Sequence, residues 1–370
     1  MKIGVITFSQ TKDNYGQILQ CYAMQKFLQK LGHEPFLIQY QQPVAQKASF
    51  KIYNIIKYIL HFGTYVKWFF NNKKLQKQKY AYESSTKNVD RHFSQFLKDN
   101  IELTKLYTKQ QLLDNPPIAD AYVCGSDQIW KCDDIFYLSF APKTALRIAY
   151  APSFGGEVSF AKETENMIKR ELSLFSFLGI REEDGVKLCH RLGFLNAMKV
   201  VDPTLLLSSG DYNIVKTETN ASNFIFVYLL GNPTDCSIDE IQKFAKTIGK
   251  KVVYVCSQGR HDNYDKTYAT IGEWLGYLSK ADIVITNSFH CVVFSLIYNR
   301  QFVSLPLNNG FEKMNGRIRD LLGKIGMEDR IWNHNLSEIC SKTVRFDKFE
   351  EFVKEEKEKT MQNLTKVLKD

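Results

Sequence analysis

The chain has 370 residues, 44% of them apolar and 24% charged. That balance excludes wholesale disorder, a collagen-like fibre and a polytopic membrane protein, and the length suits two domains. Lys and Arg number 49 against 40 Asp and Glu, a net charge of +9. The surplus is local. No acidic residue falls between Glu34 and Glu83, while Lys47, Lys51, Lys57, Lys67, Lys73, Lys74, Lys77 and Lys79 do. A concentrated positive segment points to one anionic partner rather than to a generally basic protein.

In chain order, residues 2–8 form a continuous apolar run, expected of a strand covered on both faces. A polar stretch ends in Asn14-Tyr15-Gly16. Ile18, Leu19, Tyr22, Ala23 and Leu31 then recur at helical spacing, Gly32 stops the helix, and residues 36–40 read as the next strand. This is a βαβ unit, the mark of a parallel sheet. The pattern resumes with strands at 120–124, 147–151 and 177–181, a helix at 182–192 and a strand at 199–201. Residues 208–223, rich in Ser, Asn, Thr, Asp and Gly, read as an interdomain linker. Beyond them strands at 224–230, 251–256, 282–286 and 302–305 alternate with helices at 237–248, 271–279 and 290–299. The sequence therefore predicts an α/β protein with two Rossmann-like, doubly wound domains facing a cleft. Their bounds are 1–207, with a basic insertion at about 45–85, and 224–335. A charged helical tail, 336–370, packs back on the first domain.

Within the insertion, Ile52, Ile55, Ile56, Ile59 and Leu60 mark one helical face, lysines surround it, and Tyr65, Trp68, Phe69 and Phe70 follow. A membrane-surface helix needs these features, and so does an ordinary helix with a solvated basic face. No nucleic-acid recognition motif accompanies the lysines. The eight cysteines contain no C-x-x-C pair and read as reduced, buried thiols. The short N-terminal apolar run does not suit a signal peptide, and no apolar run reaches the ~18 residues of a membrane span. The expectation is a cytoplasmic protein that can sit at the inner membrane face.

No dinucleotide fingerprint, P-loop, nucleophile elbow or zinc-site spacing occurs, so neither a metal nor a cofactor is expected. The sharpest local signal is the apolar run 283–286 followed by Asn287, Ser288 and His290 at a helix start. Backbone N–H groups there bind anions, and His290 in a cleft can act as an acid. A capping histidine with a structural hydrogen bond explains the same pattern. Arg181 ends an apolar strand, where it suits either a bidentate grip on a carboxylate or phosphate or a salt bridge to Glu182, Glu183 or Asp184. Asp127, Gln128 and Trp130, after a strand and Gly125-Ser126, suit a sugar, with the indole covering an apolar ring face. An Asp-stabilised turn beside a core tryptophan is the plainer reading. Asp202-Pro203-Thr204 reads as a structural turn. Lys313, Arg317 and Arg319 lie in a glycine-containing loop opening a helix; they suit an anionic donor or a solvated helix start.

Taken together, Asn14-Tyr15-Gly16, the run 125–130, Tyr150-Ala151-Pro152-Ser153-Phe154-Gly155, the run 180–184, Asp202-Pro203-Thr204, Thr286 through His290 and the run 316–322 resemble the polysaccharide pyruvyl transferase family. The resemblance covers residues 1 to about 332. It implies a GT-B-like fold and transfer of a pyruvyl group from phosphoenolpyruvate, the donor substrate, to a sugar, giving a cyclic ketal and phosphate. The acceptor is then a glycan or a lipid-linked precursor of a capsule or exopolysaccharide. The resemblance implies donor roles for Arg181 and His290, joined by Asn287, Ser288, Lys313 and Arg317 in the second domain. Asn14, Tyr15, Gly16, Asp127, Gln128 and Trp130 form the acceptor side, with His290, Arg181 and Asp127 as the catalytic set. Many members carry Arg-Leu-His where this chain has Ser288-Phe289-His290, so one donor arginine is absent, and Lys313 or Arg317 is expected to replace its charge. The competing readings are a glycosyltransferase with a nucleotide-sugar donor, for which Glu273 and Asp282 are poor ribose ligands, and a non-catalytic glycan- or lipid-binding protein.

Overall fold

The computed structural model describes residues 1–11, 13–42, 89–131, 133–231, 235–257, 259–308 and 315–369. The basic insertion expected at 45–85 and Lys313 lie outside the described residues.

The first half runs β1 (Lys2–Ile6), α1 (Tyr15–Lys30), β2 (Glu34–Tyr40), α2 (Phe93–Asn100), β3 (Leu103–Tyr107), α3 (Lys109–Asp114) and β4 (Ala121–Cys124). It continues through β5 (Leu146–Tyr150), α4 (Lys162–Leu172), β6 (Phe177–Ile180), α5 (Glu183–Arg191) and β7 (Met198–Lys199). These seven strands form one parallel sheet in the order β3-β2-β1-β4-β5-β6-β7.

The second half comprises α6 (Ser209–Asn213), β8 (Phe224–Tyr228), α7 (Ile238–Thr247), β9 (Lys251–Tyr254), α8 (Ile271–Lys280), β10 (Ile283–Thr286), α9 (Phe289–Ile297) and β11 (Gln301–Ser304). Then follow α10 (Asn315–Lys324), α11 (Leu336–Ser341) and α12 (Asp347–Val367). Its four parallel strands are ordered β11-β10-β8-β9. Among the described residues no helix is long and apolar enough to cross a membrane.

Every residue of β4, β8 and β10 is buried, because helices cover both faces of a parallel sheet. Side chains fix the helix starts. Asn14 Oδ1 accepts from Gln17 N at 3.1 Å at the head of α1, and reciprocal capping boxes open α7 (Ser237 with Glu240) and α8 (Thr270 with Glu273). β1 leaves its ladder earlier than the apolar run suggests: Thr7 Oγ1 donates to Ser126 O at 2.7 Å, tying the end of β1 to the loop after β4. β3 is an edge strand whose middle residues are half-buried or exposed, so its sequence, Leu-Thr-Lys-Leu-Tyr, lacks the apolar run that marks the others.

The segment read as a linker, 208–223, is packed rather than free. Tyr212 is fully buried, donates to Thr204 O at 2.9 Å and meets the Phe294 ring edge-on at 4.7 Å. Thr217 lies flat on α8, where a Cβ on Gly272 or Gly276 would come within 2.4 Å of Thr217 Oγ1 or 2.1 Å of its carbonyl oxygen. The two halves share one hydrophobic core. Its centre is Tyr15, stacked on Trp274 at 5.4 Å and donating to Ala269 O at 2.6 Å. Leu336 and Ile339 of α11 belong to the core of the second sheet. The return to the first half starts at α12, where Thr360 Oγ1 lies 3.3 Å from Tyr150 Oη and Asn363 Nδ2 donates to Met198 Sδ at 3.3 Å.

Candidate active site between the two sheets

In each sheet the strand order reverses beside the first strand of that half, between β1 and β4 and between β8 and β10. Ligands of doubly wound folds bind outside the carboxyl ends of the strands at such points. Both loops there carry chemistry. After β4 the chain turns at Gly125, whose φ is +121° and where a Cβ would meet Tyr150 O at 1.9 Å. Asp127 follows with φ +74°. Its carboxylate accepts from Gln128 N at 2.7 Å and from Gln17 Nε2 at 3.0 Å.

Arg181 ends β6 and Asp202 follows β7. Because Ile180 pairs with Lys199, the two side chains emerge at one edge. Asp202 is completely buried. Its Oδ1 accepts from Thr204 N at 3.1 Å and Thr204 Oγ1 at 2.7 Å; its Oδ2 accepts from Ser126 Oγ at 2.7 Å and Arg181 Nη1 at 3.2 Å. Burial alone would raise its pKa, but His290, Arg181 and Ser126 outweigh that and hold the carboxyl well below the ordinary range. Burial likewise works against the Arg181 charge, and Glu182, Asp202 and Asp127 overcome it. Arg181 Nε donates to Glu182 Oε1 at 2.9 Å and Nη1 also to Ser126 Oγ at 3.1 Å, while Nη2 is buried without a hydrogen bond.

From the other half, α9 delivers His290 across the cleft. Its Nε2 lies 3.6 Å from Asp202 Oδ2, within ion-pair but not hydrogen-bond range, and has no hydrogen-bond partner. The other side of the ring packs on Gly16 at the start of α1, where a Cβ would come within 2.2 Å of Nδ1. Glycine is required by that approach. Asn287 is used differently: its Oδ1 accepts from Leu230 N at 2.7 Å and its Nδ2 donates to Leu230 O at 2.9 Å, clamping the loop after β8 to the loop after β10. The Phe289 ring lies under two guanidiniums, with Arg317 at 5.3 Å and Arg181 at 6.0 Å. Arg317 is half-buried, and its pKa is pushed down to about 10 by burial and then by Arg181, which leaves it charged at neutral pH. A cavity of about 480 Å³ opens beside it, lined by Gln128, the loop 154–158, Glu182 through Gly185, Arg317 and Arg319. Among the described residues no cluster of side chains suits a metal ion.

The model of the polysaccharide pyruvyl transferase family matches residues 14–309, most of the chain. The chain belongs to the polysaccharide pyruvyl transferase family. No curated protein matches it in sequence. In structure it is similar to the UDP-GlcNAc 2-epimerase of Methanocaldococcus jannaschii, at 12% identity over 92% of this chain and 91% of that one, with a TM-score of 0.50. It is also similar to a Listeria monocytogenes protein assigned as a UDP-N-acetylglucosamine 2-epimerase, at 8% identity over 98% and 90% of the two chains, TM-score 0.51. These likenesses give the fold, which is GT-B-like: two Rossmann-like parallel sheets facing a cleft.

In this pyruvyl transferase family member the residues singled out in the sequence separate by place. His290, Arg181, Arg317 and Gly16 converge in the cleft, and Gln128 lines its wall. Asp127, Asn14 and Ser288 stand at its edge in backbone-supporting bonds; Ser288 N donates to Thr286 Oγ1 at 3.0 Å. Trp130 is not an exposed sugar platform. It is buried, stacked on Tyr137 at 5.0 Å, with its indole N–H donating to Phe136 O at 3.1 Å. Tyr15 likewise belongs to the shared core and presents no free face. Asp202, read from sequence as a turn, sits at the centre of the network. No local signal marked it, because the acid meets Arg181 only through the pairing of β6 with β7. The acids of the second half that a nucleotide ribose would need are structural: Glu273 completes the α8 capping box and Asp282 pairs with Lys250 at 2.9 Å.

Proposed function

We propose that this chain transfers a pyruvyl group from phosphoenolpyruvate to two hydroxyls of a sugar in a surface-polysaccharide precursor, forming a pyruvate ketal and releasing phosphate. The observation that carries this reading is the meeting of Arg181, Arg317 and His290 in one cleft, with Arg181 Nη2 and His290 Nε2 lacking hydrogen-bond partners. Two guanidiniums match the phosphate and carboxylate of such a donor. In the reaction the methylene carbon takes a proton and becomes a methyl group, and the enol carbon becomes oxocarbenium-like. One sugar hydroxyl attacks that carbon, its bond to the phosphate oxygen breaks, and the second hydroxyl closes the ketal. The two hydroxyl protons balance the one gained at the methyl group and the one leaving on phosphate.

His290 is assigned as the acid that protonates the departing phosphate. Asp202 and Gly16 hold its ring, and Asp127 orients or deprotonates the acceptor. No metal or redox cofactor enters this scheme, because the donor is already activated. The lysine-rich segment 50–80 supports a lipid-linked acceptor at an anionic membrane surface. Phosphate release from phosphoenolpyruvate, measured with a panel of saccharide acceptors and ketal formation followed by proton NMR, tests the reading. Acceptor-dependent phosphate release with a new methyl resonance is the expected result. Turnover of a nucleotide sugar in place of phosphoenolpyruvate would overturn it.

A further inference from the structure

Behind the Phe289 ring a second, smaller cavity of about 80 Å³ lies under the carboxyl-terminal helix. It is lined by Arg181, Lys199, Arg317, Lys324 and Lys359 together with Asp202, Glu182, Asp320 and Glu356. The acids are all engaged: Asp202 and Glu182 by Arg181, Asp320 by Lys199, and Glu356 by Lys359 at 3.7 Å. The donors are not. Among the described residues Arg317 and Lys324 make no ion pair, and the buried Nη2 of Arg181 makes no hydrogen bond. Lys324 Nζ stands 5.9 Å over the Phe352 ring of α12. Burial and the neighbouring Lys199 both disfavour its charge. Val200, Val201, Leu205, Leu321 and Phe352 line the rest of the cavity; like charges held together at its mouth, with the acids there already paired, leave donors for an anion.

We propose that this cavity is a phosphate-group subsite in which Lys324, Arg317 and Arg181 Nη2 grip the anion, with α12 as its outer wall. Its assignment to the donor deepens the pyruvyl-transfer reading and rests on it; the anion chemistry does not. Lys324 thereby supplies a cation that the sequence Ser288-Phe289-His290 lacks. The group held is either the phosphate of phosphoenolpyruvate or free phosphate.

Calorimetric titration of the full chain with inorganic phosphate, and separately with phosphoenolpyruvate, at constant ionic strength distinguishes the sources. Lys324→Ala is expected to weaken phosphate binding about tenfold, the effect of one charge-assisted hydrogen bond. Lys98→Ala on α2 should change nothing, and Lys324→Arg should retain affinity. Lys324 makes no ion pair among the described residues and lies at the mouth of the cavity, so its truncation is expected to leave the fold intact, which circular dichroism checks. A parallel loss for phosphoenolpyruvate supports the subsite and gives it to the donor; a loss for phosphate alone supports it and gives it to free phosphate. Unchanged affinity for both in Lys324→Ala, or no phosphate binding by the wild-type chain, overturns it. The titration needs neither acceptor nor turnover. A chain that binds phosphate through Lys324 but transfers no pyruvyl group would therefore sink the functional reading and leave the subsite standing.

Discussion

The Asp202 network and the Phe289 rim lie side by side and are built on opposite terms. At Asp202 both carboxylate oxygens are bonded, to Thr204, Ser126 and Arg181. Around Phe289 three donors have no acid of their own: Arg181 Nη2, Arg317 and Lys324. Cationic groups left without an acid of their own suit an anion. On the proposed function the buried acid is scaffold and the bases at the rim meet the ligand.

Substitutions on each side should sharpen that contrast. His290→Ala removes the proposed acid and should lower kcat by roughly 10³- to 10⁴-fold with little change in melting temperature; steady-state phosphate release checks this, and near wild-type turnover would remove His290 from the mechanism. Gly16→Ala forces a Cβ to 2.2 Å from His290 Nδ1 and should cost about 10²-fold in kcat, as displacements near 1 Å do. Asp202→Asn keeps the shape but removes the charge facing Arg181, and should cost about 3 kcal/mol in stability by urea denaturation.

The pH dependence of that loss has a fixed sign. The Asp202 carboxyl is held below its unfolded value, so its contribution is present above about pH 4 and is lost as the pH falls further. The wild-type chain should lose stability on acidification more steeply than Asp202→Asn; parallel curves would contradict the network's role. The smallest effect on chemistry is expected outside the described residues. Deleting 50–80 should weaken binding to anionic vesicles and leave phosphate release on a soluble acceptor intact.

Most strands were legible because parallel strands buried on both faces read as unbroken apolar runs, and β4, β8 and β10 are of that kind. β3 was not, because an edge strand with exposed middle residues carries no such run. Within the site, His290 and Arg181 stood out because they end or follow strands at a cleft. Trp130 and Tyr15 misled for a physical reason. An aromatic ring with a polar tip suits a sugar face and a core position equally, and only packing against Tyr137 or Trp274 decides. Asp202 was hidden because Asp-Pro-Thr forms a good turn, and the turn is real: Thr204 N does donate to Asp202 Oδ1. The other oxygen, turned toward Arg181, is visible only once β6 and β7 are neighbours.

On the proposed function the rim binds a phosphorylated carboxylate donor. Thermal unfolding with phosphoenolpyruvate, inorganic phosphate, pyruvate and a panel of nucleotide sugars tests it without an acceptor. At 100 times its dissociation constant a ligand stabilises the folded state by about 2.7 kcal/mol. Stabilisation by phosphoenolpyruvate beyond that given by phosphate or pyruvate, abolished in Arg181→Ala, is the expected result. Stabilisation by a nucleotide sugar and none by phosphoenolpyruvate would contradict it.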